Sequence, residues 1–336
     1  MKKSKSFIRL ILSQFWSSRL NQVGFIFVVV MMSFALMAPL IANNKPYYYE
    51  HDGKMTYPIL NDFYFLSSVF SYPEQRELDF RELAKDPKIN MLMPIVPFSP
   101  TEFDLDSVLV APSFTHLMGT DAQGRDVASR MIYGSQISLS VGFIAVGIYV
   151  IIGIIVGAIA GYFGGKADMI ISRIIEIVMC FPTFFLILSV LAFIGPSLVN
   201  IMIVIGITGW TGIARLVRGE FLKLRDQDFV TSSRALGITP SRIIFRHILP
   251  NALSPVLVSI TFGIASSILV ESSLSFLGFG VQPPTPSWGD ILSESREFMD
   301  IAWWLMVFPG FAIFMTITAF NLVGEGMRDA VDPRVD

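Results

Sequence analysis

The side chains that ordinarily carry chemistry are few in this sequence and badly spaced for it. His51, His116 and His247 lie far apart, and Cys180 is the single cysteine. A four-thiol zinc site, an intramolecular disulfide and dithiol redox chemistry are therefore excluded, and no histidine pair has metal-ligand spacing. Gly53-Lys54 and Gly165-Lys166 lack both the upstream glycine and the following Ser or Thr of a phosphate loop. Asp121 and Asp126 stand among turn formers with Gly119 and Gly124, but the other acids of a calcium loop and its terminal Glu are missing. No Ser/His/Asp cluster supports an enzyme. The segment that stands out has mechanical rather than covalent potential. Gly237 occupies the C-terminal capping position of a helix over 230–236, and Thr239 with Pro240 opens a second helix. Arg242 and Arg246 share one face of that second helix at i and i+4, beside Ile243, Ile244 and Phe245. A helix pair this apolar needs a surface to dock on, either a membrane or a partner.

The elements that must position this segment follow from where charge is missing. Charged residues are 15% of the 336 residues and AVILMFWYC residues 53%, which argues against a soluble domain. With 25 Lys and Arg against 27 Asp and Glu the net charge is -2, so phosphate neutralisation and nucleic acid are not the theme. Charge-free stretches occupy 20–44, 131–165, 177–214, 248–270 and 301–324. Crossing hydrocarbon takes about 20 apolar residues, and the 177–214 stretch is interrupted by Gly195, Pro196, Ser197 and Asn200, so six spans are expected. They are placed at 22–42, 137–163, 174–194, 198–217, 251–271 and 301–323.

Lys2, Lys3, Lys5, Arg9 and Arg19 precede the first span with no acid, and 215–247 holds seven Lys or Arg against three acids. Both segments are expected to be cytoplasmic, as is the tail from 324 to 336. The run from Val23 to Ile41 is too long for a signal-peptide core, so the first span is expected to stay uncleaved. Within the N-terminal segment 1–21, Ile8, Ile11, Leu12, Phe15 and Trp16 fall at helical spacing and predict a helix in the headgroup plane. Prolines spaced through 43–135 predict a small irregular cap on the outer face. Gly153, Gly157 and Gly161, at four-residue steps, predict close helix packing, as do Gly206, Gly209 and Gly212 less regularly. Trp288, Trp303 and Trp304 are expected to be interfacial anchors. Arg173 and Glu176, one turn apart, are placed to pair. No Asp, Glu, Lys or Arg lies deep in a span, so the usual residues of ion-coupled carriers are missing.

The stretch DFVTSSRALGITPSRIIFRHILP, 228–250, resembles the cytoplasmic-loop motif E-A-A-x3-G-x9-I-x-L-P of ATP-binding-cassette importer permeases. Gly237, Leu249 and Pro250 stand in register, Ala235 and Leu236 fill the intervening positions, and Thr231, Ser232 and Ser233 replace Glu-Ala-Ala, while His247 replaces the Ile. HLMGTDAQGRDVASRMIYGSQISLSVG (116–142), ESSLSFLGFGVQPPTPSWGDIL (271–292) and NLVGEGMRDAVDPR (321–334) are also similar to that family, in its dipeptide, oligopeptide and nickel branch. IANNKPYYYEHDGKMTYPIL (41–60) is similar to the subgroup associated with oligopeptides and microcin C.

The resemblance implies an all-α polytopic membrane protein of the type I importer fold, with a first helix packed around a five-helix core at 136–323. It implies the C-type permease of a bacterial peptide importer, half of a heterodimeric pore in the cytoplasmic membrane. Its partners would be a second permease, two ATPase subunits that use ATP and Mg, and a periplasmic or lipid-anchored solute-binding protein, with no cofactor held by this chain. The loop at 218–250 would contact the ATPases. The translocation path is placed on the fifth span at Ser266, Ser267, Ser272 and Ser273, with Glu271 near its outer end. Nickel or another small solute is the alternative cargo, and an ion-coupled carrier the alternative class.

Overall fold

A computed structural model describes residues 13–51, 53–62, 78–84, 86 and 89–331. Its helices are α1 (Arg19–Leu36), α2 (Ala38–Ile41), α3 (Phe80–Leu83), α4 (Val127–Phe163), α5 (Gly165–Met179), α6 (Thr183–Ile194), α7 (Leu198–Leu224), α8 (Asp228–Ala235), α9 (Pro240–Ile243), α10 (Leu249–Phe276), α11 (Trp288–Phe298) and α12 (Trp304–Val331). A π-helical turn, Ile244–Ile248, joins α9 to α10 without a break, so one rod runs from Pro240 to Phe276. The amphipathic reading at Ile8, Ile11 and Leu12 lies outside the described residues.

Hydrocarbon offers no partner to a free amide or carbonyl, so each crossing must be a helix that satisfies its own backbone. Among the described residues five stretches are long and apolar enough to cross, α1, α4, α7, the Pro240–Phe276 rod and α12, and the bent pair α5 and α6 makes a sixth if it is one broken span. The expected third span at 174–194 is not one straight helix. α5 and α6 meet at an angle of 79° across Cys180–Pro182. Pro182 has no N–H to continue the ladder and disfavours helical geometry at Phe181 before it, so the chain turns there. At about 1.5 Å per residue, α6 alone reaches only about 18 Å.

The chain divides into two compact units. The first holds the residues up to Val29, Ser140–Leu274 and those from Phe314. Its seam is the contact of α4 with α7. A methyl group at Gly153 would sit 2.6 Å from Ile213 Cβ, one at Gly157 2.5 Å from the Ala214 carbonyl oxygen, and one at Gly161 2.5 Å from Phe221 Cβ. In return, a methyl at Gly206 would meet Ile148 Cβ at 2.6 Å, whereas Gly212 has open space. Small residues at this spacing let two backbones approach closely where lipid supplies no hydrophobic driving force. α1 joins the same unit through Gly24, which lies against Leu322 and Ala319 of α12. Beside the seam, Arg218 pairs with Asp168 of α5, and the exposed Arg173 guanidinium donates to Glu176 at 2.6 Å.

The second unit comprises Val30–Leu139 and Ser275–Ile313. The irregular cap expected between the first two spans contains a three-stranded antiparallel sheet, in the order β2 (Lys54–Thr56), β1 (Tyr48–His51), β3 (Asn90–Leu92). Tyr49 faces Thr56 on one side and Met91 on the other, and its ring packs edge-on against buried Phe80 at 5.5 Å. The tyrosine run supplies strand propensity that the proline spacing conceals.

Replacing Gly157 with Leu forces a side chain into the α7 backbone and is expected to lower the melting temperature of the detergent-purified protein sharply, by the equivalent of about 1–3 kcal/mol. Gly212→Ala, with no neighbour to displace, is expected to leave the melting temperature unchanged or slightly higher.

Candidate functional site

The elbow between α7 and α10 is built by local rules. α8 ends in a left-handed residue, Gly237, at φ +75. The Ile238 N–H donates to the Ser233 carbonyl at 3.2 Å and the Gly237 N–H to Arg234 at 2.9 Å, the two bonds that close a Schellman C-cap. Thr239 is extended, Pro240 takes the first position of α9, and Ile243 N–H bonds back to Thr239. The second short helix expected from the sequence is thus the start of the α10 rod rather than a separate element.

Burial sorts the elbow into two faces. Val230, Ser233, Ile243 and Ile248 point inward and are buried. Thr231, Ser232, Ala235, Gly237, Arg242, Arg246 and Pro250 are exposed, and His247 and Leu249 are intermediate. Leu236 is 80% exposed and Phe245 68%, far too much for apolar groups with no further surface to meet. The elbow is fastened on its inner side. The Arg234 guanidinium lies 5.2 Å from the Tyr162 ring, and Arg225 donates to the Gly161 carbonyl at 3.3 Å. Ser233, expected at the motif's third position, turns inward, its hydroxyl donating to the Phe229 carbonyl.

The fifth-span residues expected to line one path separate. Ser266 is exposed and Ser273 half-buried, whereas Ser267, Glu271 and Ser272 are buried, with Glu271 fully so and accepting from the Ser272 hydroxyl at 3.4 Å. An α-helix turns 100° per residue, so neighbours such as 266 and 267 share a face only at its edge. Ser267, Glu271 and Ser272 are thus buried within the chain itself.

A cluster that the spacing of residues did not reveal lies in the second unit. Arg130, 1% exposed, donates to Asp290 at 2.8 Å and to both oxygens of Glu294 at 2.8 Å, and also pairs with Asp121. Arg125 donates to Asp121 at 2.6 Å and to Glu294 at 2.7 Å. Two guanidinium groups thus face three carboxylates. Glu294 follows Asp290 by four residues on α11, which is the sequence signal that could have found the pair. Burial, aided by the charge of Glu294 and opposed by Arg130, pushes the Asp290 carboxyl up from 3.8 to about 6. Asp121 is fully engaged by the two arginines, and Asp126 bonds His116 Nδ1 at 2.9 Å and caps α4 through Ser129 N–H. Burial raises the Asp126 carboxyl despite those bonds. Among the described residues no group of three His, Cys, Asp or Glu is placed to hold a metal ion.

The expected tryptophan belt is corrected here as well. Trp288 and Trp304 are buried, their indole N–H groups donating to Met131 and Thr120 carbonyls at 3.0 Å each, while Trp303 is half exposed. The turn they hold needs glycine: Gly119 at φ +76 lies against the Trp304 ring, and a methyl at Gly124 would sit 1.6 Å from the Asp104 carbonyl oxygen.

Helices of this length and apolarity are those of a multi-pass membrane protein, and the elbow lies between two of them. Residues 153–336 match the family described as the binding-protein-dependent transport system inner membrane component, and residues 6–63 the N-terminal TM domain of oligopeptide transport permease C. The chain belongs to this family of ATP-binding-cassette importer permeases. It is 45% identical over 227 residues to the dipeptide transport system permease protein DppC of Alkalihalophilus pseudofirmus, covering 68% of this chain and 75% of that one. To DppC of Haemophilus influenzae it is 42% identical, over 74% and 86% of the two chains. To the glutathione transport system permease protein GsiD of Pectobacterium atrosepticum it is 42% identical, over 69% and 77%. An inward-facing structure of the MetNI methionine ABC transporter shares the fold, with a TM-score of 0.50 at 19% identity, over 60% of this chain and 95% of that one. The chain is a multi-pass inner-membrane permease, and ATP hydrolysis belongs to separate subunits.

Because Asp290 is protonated more readily in the folded chain than in the unfolded one, its contribution to stability is present in full below pH 3.8 and is lost as pH rises through about 6. Asp290→Asn is expected to flatten the pH dependence of the melting temperature between those values, measured on the purified protein.

Proposed function

We propose that this permease forms one half of a heterodimeric pathway for peptides, with both termini and the elbow on the cytoplasmic side. The basic residues of 1–21 and 215–247 support that orientation. The names of the dipeptide and glutathione permeases it is similar to support a short peptide as cargo. Two ATPase subunits, energised by ATP and Mg, would sit beneath the elbow, and a solute-binding protein would deliver peptide from the other side.

The observation that carries this reading is the division of the elbow into a fastened inner face and an apolar, basic outer one. Leu236 and Phe245 present the apolar surface, and Arg242 and Arg246 supply charge that an acidic rim on a partner would neutralise. When the ATPase pair closes, the elbow moves with it. Pro240 to Phe276 is one continuous helical stretch, so displacement at Phe245 passes into the membrane along one rod. Its regular ladder is altered at two places, the π-turn at Ile244–Ile248, which bonds i to i+5, and Pro255, which has no N–H to donate. This chain contributes no covalent step. It supplies shape, and the path it borders changes which side it opens to.

Gly237 sits in a conformation that costs an L-residue about 1–2 kcal/mol. Gly237→Val is expected to cut ATP-dependent tripeptide uptake more than ten-fold in cells carrying the whole transporter, with membrane abundance retained on immunoblots. Ser232→Ala, on the exposed side, is expected to keep uptake within two-fold. Normal uptake by the Gly237 variant would contradict the docking role.

A further inference from the structure

One face of α10 is only partly covered by the rest of the chain. Ser259, Gly263, Ser266 and Ser273, at steps of four, three and seven residues, lie along it, and none of the four is buried. The hydroxyls of Ser259 and Ser273 donate to the carbonyls of Pro255 and Leu269 in their own helix, which leaves their oxygens as acceptors. A row of small polar residues is commonly just a packing surface. A second observation points elsewhere. Tyr149 of α4 is 8% exposed, and its hydroxyl makes no hydrogen bond among the described residues. Buried tyrosines normally find a hydrogen-bond partner, and an unmet hydroxyl away from water is costly.

Two glycines hold this hydroxyl in place. The Tyr149 ring lies on Gly209 of α7, where a methyl would sit 2.8 Å from Cδ1. The hydroxyl lies on Gly263 of α10, where a methyl would sit 1.6 Å from the oxygen. It therefore takes the place of a side chain at the margin of the serine face, and it is not among the sealed polar atoms that lack a partner.

We propose that the Tyr149 hydroxyl and the Ser259–Ser273 face of α10 form an uncharged polar track that hydrogen-bonds the backbone amides of a passing peptide. This rests on the peptide reading above and deepens it. The chemistry fits amides rather than side chains or free ions: the track offers hydroxyl donors and acceptors with no formal charge, so it contacts the one feature every peptide shares. A metal cation would need more oxygen ligands than three spaced serines and one phenol supply.

The test uses the complete transporter in proteoliposomes, with its second permease, ATPases and binding protein, and labelled trialanine as the probe. Tyr149→Phe keeps the ring on Gly209 and removes only the oxygen. The expected result is a fall in the maximal uptake rate of about five-fold, the size of one neutral hydrogen bond, with melting temperature and complex yield unchanged. Gly263→Ala, which drives the hydroxyl off the track, is expected to lower uptake at least as far. Adding Gly263→Ala to Tyr149→Phe is expected to lower it no further. Uptake by the Tyr149 variant within 1.5-fold of the unaltered transporter would overturn the proposal, and so would a loss of uptake matched by a lowered melting temperature, which would assign Tyr149 to packing. Absence of trialanine uptake by the unaltered transporter would overturn the peptide reading itself and this proposal with it.

Discussion

Everything in the first unit depends on how closely α4 can approach α7. Side chains normally keep helix axes 8–10 Å apart, and in lipid no expulsion of water rewards a looser contact. Glycine at 153, 157 and 161 removes the obstruction on one helix, and glycine at 206 and 209 removes it on the other. The result is a seam of backbone against backbone, with Ile213, Val217 and Phe221 of α7 buried along it. The elbow hangs from the end of α7, so its position is set by a contact that has little freedom to slide.

In the proposed mechanism that arrangement lets a short segment outside the membrane act on helices within it. Arg225 and Arg234 tie the elbow to the end of α4 through the Gly161 carbonyl and the Tyr162 ring. On the far side the chain enters the α10 rod with no loop between. In the proposed mechanism, force applied to the exposed face is resisted at one end by the glycine seam and transmitted at the other. In the second unit, buried charges and tryptophan N–H bonds fix α11 against the start of α4, a job done by geometry-specific pairs rather than by apolar surface alone.

Much of this was legible in the sequence because the two main constraints leave compositional marks. Hydrocarbon excludes charge, so charge-free runs located the crossings, and the glycine and proline at 237 and 240 marked the elbow. What the sequence hid has equally physical reasons. Hydropathy is blind to direction, so 174–194 reads as one straight span although Pro182 turns it. The second span is placed at 137–163, inside a charge-free stretch that opens at 131, whereas α4 starts at Val127 and includes Arg130, which carboxylates more than 150 residues away neutralise. The tryptophans near the boundary were expected in the headgroup layer, yet two of the three satisfy their N–H inside the protein. The fifth-span serines read as one group, and only the helical turn separates Ser266 and Ser273 from Ser267 and Ser272.

The central claim is that the exposed face of the elbow is gripped by a separate ATPase subunit. A photo-crosslinking phenylalanine analogue placed at Phe245, in the complete transporter and in native membranes, tests it directly. The account predicts an adduct with an ATPase subunit in good yield, altered when a non-hydrolysable ATP analogue closes the ATPase pair. Adducts confined to lipid, or to the permease itself, while the ATPases remain bound would contradict it.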